Sequence, residues 1–213
     1  MQIKRSLKTI PKLARGVSNE YRYFNKDVEL SHLLIKGDGD KALPPMIVLH
    51  GLLGSKTNWR GICKQPQISG KRDCYLVELR NHASSNHHDQ MNYEVLSDDV
   101  VRFADSHGLD TFTILGHSLG GRTAMTTACR FEDRVDGVIS IDSAPIDESG
   151  QNAFGSFTYG VIQFMHELSH QNLSRTEAVK RAREHFEGKP QFSALLETNM
   201  DRKSQDLQWL VNI

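Results

Sequence analysis

Four short, almost wholly apolar runs recur along the middle of the chain: Met46–His50, Cys74–Leu79, Phe112–Leu115 and Val135–Ile141. A run this short with no polar face to offer water fits a strand buried on both faces of a parallel sheet. Helix-patterned stretches separate the later runs. Over Tyr93–Asp105, Leu96, Val100 and Phe103 fall at i, i+4 and i+7, which places them on one helical face. Leu119–Phe131 is rich in small and apolar residues and ends at the polar pair Glu132–Asp133. Strand and helix thus alternate from residue 46 to 141, which predicts an α/β fold built on a doubly wound, mostly parallel sheet. Two earlier strands are expected, Tyr21–Phe24 and Glu29–Ile35, with a turn over Lys36–Lys41.

After Pro145 the pattern changes. Phe154–His170 reads as a helix, and a second runs from the capping box Ser174/Glu177 to Gly188. A third covers Gln191–Met200. Three helices without an intervening strand predict a lid, so the expected organisation is a core over 20–145 and a helical lid over 146–207. Residues 208–213 would begin a further piece of core. A chain of 213 residues suits one such unit, since it buries roughly 70% of its unfolded surface on folding.

The 26 basic residues balance the 26 acidic ones, which argues against nucleic acid or an anionic membrane as the principal partner. No apolar run approaches the roughly 18 residues of a membrane span. Cys63, Cys74 and Cys129 are an odd number without repeated spacing, as expected of free thiols in a reducing compartment. Residues 1–19 carry Lys4, Arg5, Lys8, Lys12 and Arg15 and no acid, with Ile3, Leu7, Ile10 and Leu13 at near-helical spacing. Two readings fit: an amphipathic transit peptide, or a solvated basic tail.

Gly116-His117-Ser118-Leu119-Gly120-Gly121 follows the third apolar run and opens a helix. A serine hydroxyl is a weak nucleophile and must be exposed, aimed and close to a base. A sharp strand-to-helix turn achieves this, and flanking glycines keep side chains out of it. The helix start also turns free N–H groups toward developing negative charge. The other reading is a glycine-rich βα turn without catalysis. His50-Gly51-Leu52-Leu53-Gly54 closes the first apolar run. Alone it is an ordinary tight turn, but upstream of such a serine it is the expected source of a second oxyanion donor. The two backbone donors are then Leu52 and Leu119. Asp142 ends the fourth run, on the sheet edge where open α/β sheets bind ligands. It fits either the carboxylate that orients a base or a turn aspartate before Pro145.

None of the histidines sits on a loop after a late strand, where a base is expected. His117 flanks the serine with its ring expected to point away, and His82, His87 and His88 fall in a polar loop. Asp89 beside His87 and His88 is not at a ligand spacing, so no metal site is expected.

These motifs together carry a resemblance. His50–Gly54 with Ser55 and Asn58-Trp59, Leu79-Arg80-Asn81-His82, Gly116–Gly121 and Ile141-Asp142-Ser143-Ala144-Pro145 occur in the order of one α/β-hydrolase branch. That branch holds bacterial acyl esterases of the YbfF type and the mitochondrial α/β-hydrolase domain-containing protein eleven. The likeness runs from about Leu43 to the end and includes Leu195–Asn199 and Trp209–Asn212. It implies hydrolysis of short-chain acyl esters or thioesters by Ser118, without a cofactor, and favours Asp142 as the acid. It also implies a mitochondrial matrix address, with the cytoplasm as alternative, and an association with 2-oxoacid dehydrogenase complexes. Two departures are visible. The loop usually reads Asp-x-Arg-Asn-His-Gly, where this chain has Glu78 and Ala83. The family also continues through further strands to its catalytic histidine, so the expected fold is truncated before the last strands. The rival expectation is a catalytically crippled remnant acting as a binding protein.

Overall fold

The computed structural model describes residues 28–145 and 156–212. The basic segment 1–19, the expected strand Tyr21–Phe24 and the first part of the expected lid, 146–155, lie outside them. The strands are β1 (His32–Ile35), β2 (Met46–Leu49), β3 (Cys74–Val77), β4 (Phe112–His117) and β5 (Val135–Ile141). They form one sheet in the order β1-β3-β2-β4-β5. β1 pairs antiparallel to β3, and every other pair is parallel. The order reverses at β2, which pairs with β3 on one side and β4 on the other.

The alternation within β2 shows how both faces are covered. Ile47 and Leu49 pack into one cluster with Leu96, Val100 and Phe103 of α3 (Tyr93–Ser106) and Ala124 of α4 (Leu119–Arg130). Met46 and Val48 point the other way and meet Cys63, Trp59 and Ile68. Those three come from a 3₁₀ turn at Lys56–Trp59 and from the one-turn helices α1 (Arg60–Cys63) and α2 (Pro66–Ser69). The sequence reading missed this stretch, because four-residue elements are too short to show a period. The turn is nevertheless fixed locally, with a capping box between Ser55 and Asn58.

A third cluster belongs to the late helices α5 (Ser156–Ser169), α6 (Arg175–His185) and α7 (Pro190–Thr198). Val161, Met165, Ala178, Ala182 and Leu196 gather there with Met200 and Val211. Ser174 and Glu177 cap each other at the start of α6 as their spacing predicts, and Gly188 turns the chain at a φ of 77°. Leu53, from the loop after β2, is buried in this same cluster.

One strand departs from expectation. β5 reads as doubly buried from its sequence, but Val138 and Ile139 are 39% and 44% exposed. Among the described residues β4 is its sole strand neighbour, so β5 is the edge of the described sheet, and apolar composition alone cannot distinguish an edge from a centre.

Candidate functional site

Ser118 stands at the junction of β4 and α4 with φ 50° and ψ −114°. Non-glycine residues rarely adopt such a φ, and they persist there only when their surroundings over-determine it. Here the surroundings are mostly backbone. The Ser118 N–H donates to Ile141 O of β5 at 3.0 Å, and its carbonyl accepts from Arg122 N–H at 3.1 Å. A Cβ on Gly116 would collide with the Gly120 carbonyl, and one on Gly120 would meet His50 O at 2.6 Å. The two flanking glycines are therefore required by contact, as the motif predicts. Ser118 Oγ makes no hydrogen bond among the described residues. Leu119, the next residue, is the first of α4, and its N–H has no acceptor among them.

Asp142 follows β5 and also adopts a positive φ, 50°. Its side chain is 88% exposed, and the His117 ring lies close by, with Nε2 3.8 Å from Asp142 Oδ2. At that separation and exposure the pair is a weak one. The sequence reading expects the His117 ring to point away from the base position; the residue lines the cleft, with its ring 6.4 Å from that of Trp59 between centroids.

The loop after β2 makes a tight turn, with Gly54 N–H donating to Gly51 O at 2.9 Å. Leu53 occupies its third position at φ 58°, a place that usually demands glycine or asparagine. His50 is 1% exposed. Its Nε2 accepts the Leu79 N–H at 3.0 Å, so Nδ1 carries the proton and donates to Gly51 O at 2.8 Å. Burial, reinforced by the neighbouring His82, pushes the His50 pKa down to about 3. The two rings meet edge to face, 4.8 Å apart.

His82 is the residue that sequence reasoning most misplaced. Expected in a solvated loop, it is 2% exposed. Its Nε2 accepts the Leu53 N–H at 3.2 Å, and its Nδ1–H donates to Arg80 O at 2.9 Å. Burial holds it too below the ordinary histidine range. Asn199, at the end of α7, donates through Nδ2 to Leu53 O and to Leu195 O, both at 2.9 Å. Next to His82, Arg80 is fully buried and forms a fork on Asp99, with contacts of 2.5 and 2.7 Å. Burial raises the Asp99 pKa although Arg80 and Arg102 pull it down. The signal for this network was present in Leu79–His82, which the sequence carries as a motif without visible partners. Glu78, a departure from the family pattern, is 1% exposed and pairs with Lys56 Nζ at 2.8 Å. Ala83, the other departure, adopts φ 42°, which explains why glycine is usual there.

Ser118, His117, Gly51, Leu52 and Leu53 line one cleft of about 870 Å³, whose other wall is Val161, Leu195, Thr198 and Asn199 from the late helices. Its volume matches a small-molecule site. Arg122 and Arg202 also line it, and none of the described residues that line it is acidic. Among the described residues no group of three or more His, Cys, Asp or Glu could hold a metal ion, and no helix is long and apolar enough to cross a membrane.

Comparison with known proteins follows the same geometry. A family model described as "alpha/beta hydrolase fold" matches residues 44–209. A probable alcohol acetyltransferase of Saccharomyces cerevisiae is 35% identical over 168 residues, which are 75% of this chain and 48% of that protein. The sn-1-specific diacylglycerol lipase ABHD11 of Xenopus tropicalis is 29% identical over 201 residues, 93% of this chain and 61% of that one. Among solved structures, a marine microorganism esterase is 31% identical with a TM-score of 0.71, over 87% of this chain and 69% of that one. The chain thus spans about half to three-fifths of the length of these curated relatives.

Proposed function

This chain belongs to the α/β-hydrolase family, and on that premise we propose that it is a serine hydrolase of acyl esters or thioesters with Ser118 as nucleophile. The observation that carries the reading is the Ser118 backbone, strained between β4 and α4 and opening onto the cleft. Ser118 Oγ attacks the acyl carbonyl as its proton passes to the histidine base that the family resemblance implies; that proton leaves with the alcohol or thiol, and water then hydrolyses the acyl-enzyme. The Leu52 and Leu119 N–H groups receive the oxyanion, each such donor contributing about 3–4 kcal/mol to the transition state. Asp142 orients the base and stabilises it when charged. Gly116, Gly120, Gly51, His50 and His117 shape the turns that carry these groups. The late helices act as a lid, with Val161 and Leu195 against the acyl chain. The diverse activities in the relatives' names share acyl transfer to or from oxygen, which suits this assignment.

A second reading is a binding protein that uses the same cleft without turnover. It is favoured by the absence of any described histidine hydrogen-bonded to Ser118. A fluorophosphonate probe and a p-nitrophenyl acyl ester separate the two. Labelling and hydrolysis that both vanish in Ser118→Ala support the enzyme. Ligand binding that survives that substitution, with neither reaction present in the wild type, supports the binder. The basic, acid-free segment 1–19 supports a mitochondrial address, tested by fusing it to a fluorescent protein. The association with 2-oxoacid dehydrogenase complexes is proposed on resemblance alone, and co-purification tests it.

A further inference from the structure

The turn Gly51–Gly54 is gripped at three successive peptide groups by side chains that no local pattern places there. The first is the Gly51–Leu52 peptide. Its carbonyl oxygen accepts from His50 Nδ1–H at 2.8 Å and from Gly54 N–H at 2.9 Å. A trans peptide is planar, and no peptide bond among the described residues is cis, so fixing that carbonyl fixes the Leu52 N–H in the opposite direction. The second is the Leu52–Leu53 peptide, whose N–H is taken by His82 Nε2 at 3.2 Å. The third is the Leu53–Gly54 peptide, whose carbonyl is taken by Asn199 Nδ2 at 2.9 Å.

All three gripping residues are buried, at 1%, 2% and 5% exposure. Water therefore cannot substitute for them without opening the structure. Leu53 itself explains why the grip is needed. Its side chain is anchored in the cluster of the late helices, yet its backbone sits at φ 58°, where a bulky residue is held only by its surroundings. A free turn of this sequence would relax, and the Leu52 N–H would rotate with it.

We propose that His82 and Asn199, acting with His50, are positioning residues that aim the Leu52 N–H into the cleft, and that Asn199 makes this aim depend on the packing of α7. The inference rests on the assignment of Leu52 as an oxyanion donor. Its geometric part is testable without catalysis. Asn199 comes from the end of α7 and also accepts the Leu210 N–H on its own carbonyl at 2.7 Å. The helical segment thus does more than roof the cleft, because it holds one end of the turn that faces Ser118. A shift of α7 carries the Leu53 carbonyl with it.

The test uses the chain as it stands, with Asn199→Asp and His82→Phe compared with wild type by amide hydrogen exchange and ¹H–¹⁵N shifts. Asp keeps the shape of Asn199 but removes its donor, and Phe keeps a ring without nitrogen. The expected result is a slowly exchanging Leu53 amide in wild type, with exchange at least on the order of tenfold faster in His82→Phe. The Leu52 amide shift should move in both variants while that of Leu119 stays in place. Unmoved Leu52 and Leu53 amides in a folded variant would overturn the proposal. So would a wild-type Leu53 amide that exchanges as fast as an exposed turn, which needs no variant to fold. Where ester hydrolysis is measurable, kcat should fall by on the order of 10²-fold with KM nearly unchanged. Failure of Ser118→Ala to abolish hydrolysis would sink the hydrolase reading and leave the amide result to be judged by itself.

Discussion

Two turns lie side by side in the cleft, and both are strained. Ser118 and Leu53 adopt φ values of 50° and 58°, yet they are held in opposite ways. The Ser118 turn is enforced by backbone: a strand before, a helix after, the Ile141 carbonyl of β5, and glycines at 116 and 120 that let backbone approach backbone. The Leu53 turn is enforced by residues 29 and 146 positions away, His82 and Asn199. Strain written into adjacent residues is robust to changes elsewhere. Strain held by distant side chains is adjustable, because whatever moves those side chains moves the turn.

The largest expected effect lies at the local turn. Gly116→Val pushes a branched side chain into the Gly120 backbone, which has no rotamer to escape by. It should destabilise the chain by at least about 3 kcal/mol in urea denaturation. A loss under about 1 kcal/mol would show that the Ser118 turn is as adjustable as the other. Next comes Leu53→Gly. Losing a buried leucine costs about 3 kcal/mol, and releasing the positive φ returns about 1 kcal/mol, so a net loss of about 2 kcal/mol is expected. A stabilised variant would mean that the backbone strain outweighs the anchor.

Acid should separate the turns further. His50, with a folded pKa of about 3, and His82, also lowered, are neutral in the fold and protonate more readily when unfolded. Their contribution is complete above the ordinary pKa of about 6.5 and is lost as pH falls below it, for His50 down to about 3, with a slope of up to about 1.4 kcal/mol per pH unit for each histidine. The surroundings do not reverse this sign. Glu78 favours the charged form of His82, while His87 opposes it and Lys56 opposes the charging of His50. Denaturation midpoints measured between pH 7 and pH 4 should fall, with the Leu53 amide losing protection before the amides of α4. A flat profile would overturn the neutral assignment. The smallest effect is Ala83→Gly. Relief of a left-handed alanine, about 1–2 kcal/mol, less the chain entropy of glycine, about 0.5–1 kcal/mol, should leave a gain of about 0.5 kcal/mol in thermal unfolding.

The same contrast separates what could be read in advance from what could not. The strands β2 to β5, α3, α4 and the capping box of α6 follow from periodicity and from residues within one turn of each other. The geometry at Ser118 follows for the same reason. The burial of His82 does not, because a histidine in a polar stretch looks solvated until Leu53 is folded against it. Nor does Asn199, an ordinary helix-end residue whose acceptor lies far upstream. β5 misled in the other direction. Its apolar run describes what the strand would favour as neighbours, whereas its exposure reports which neighbours are there.

That edge has a consequence for how the chain behaves in company. Gly137–Ile141 carries no charge and no proline, is rich in β-branched residues, and among the described residues has no strand partner on its outer side. An unpaired strand side is a template for any extended segment that reaches it. Within one molecule the contest is unimolecular and independent of dilution, whereas capture by another chain accelerates with concentration. Wherever β5 is left unpaired, the outcome depends on crowding: dilute chains keep that margin to themselves, and concentrated ones compete to extend it.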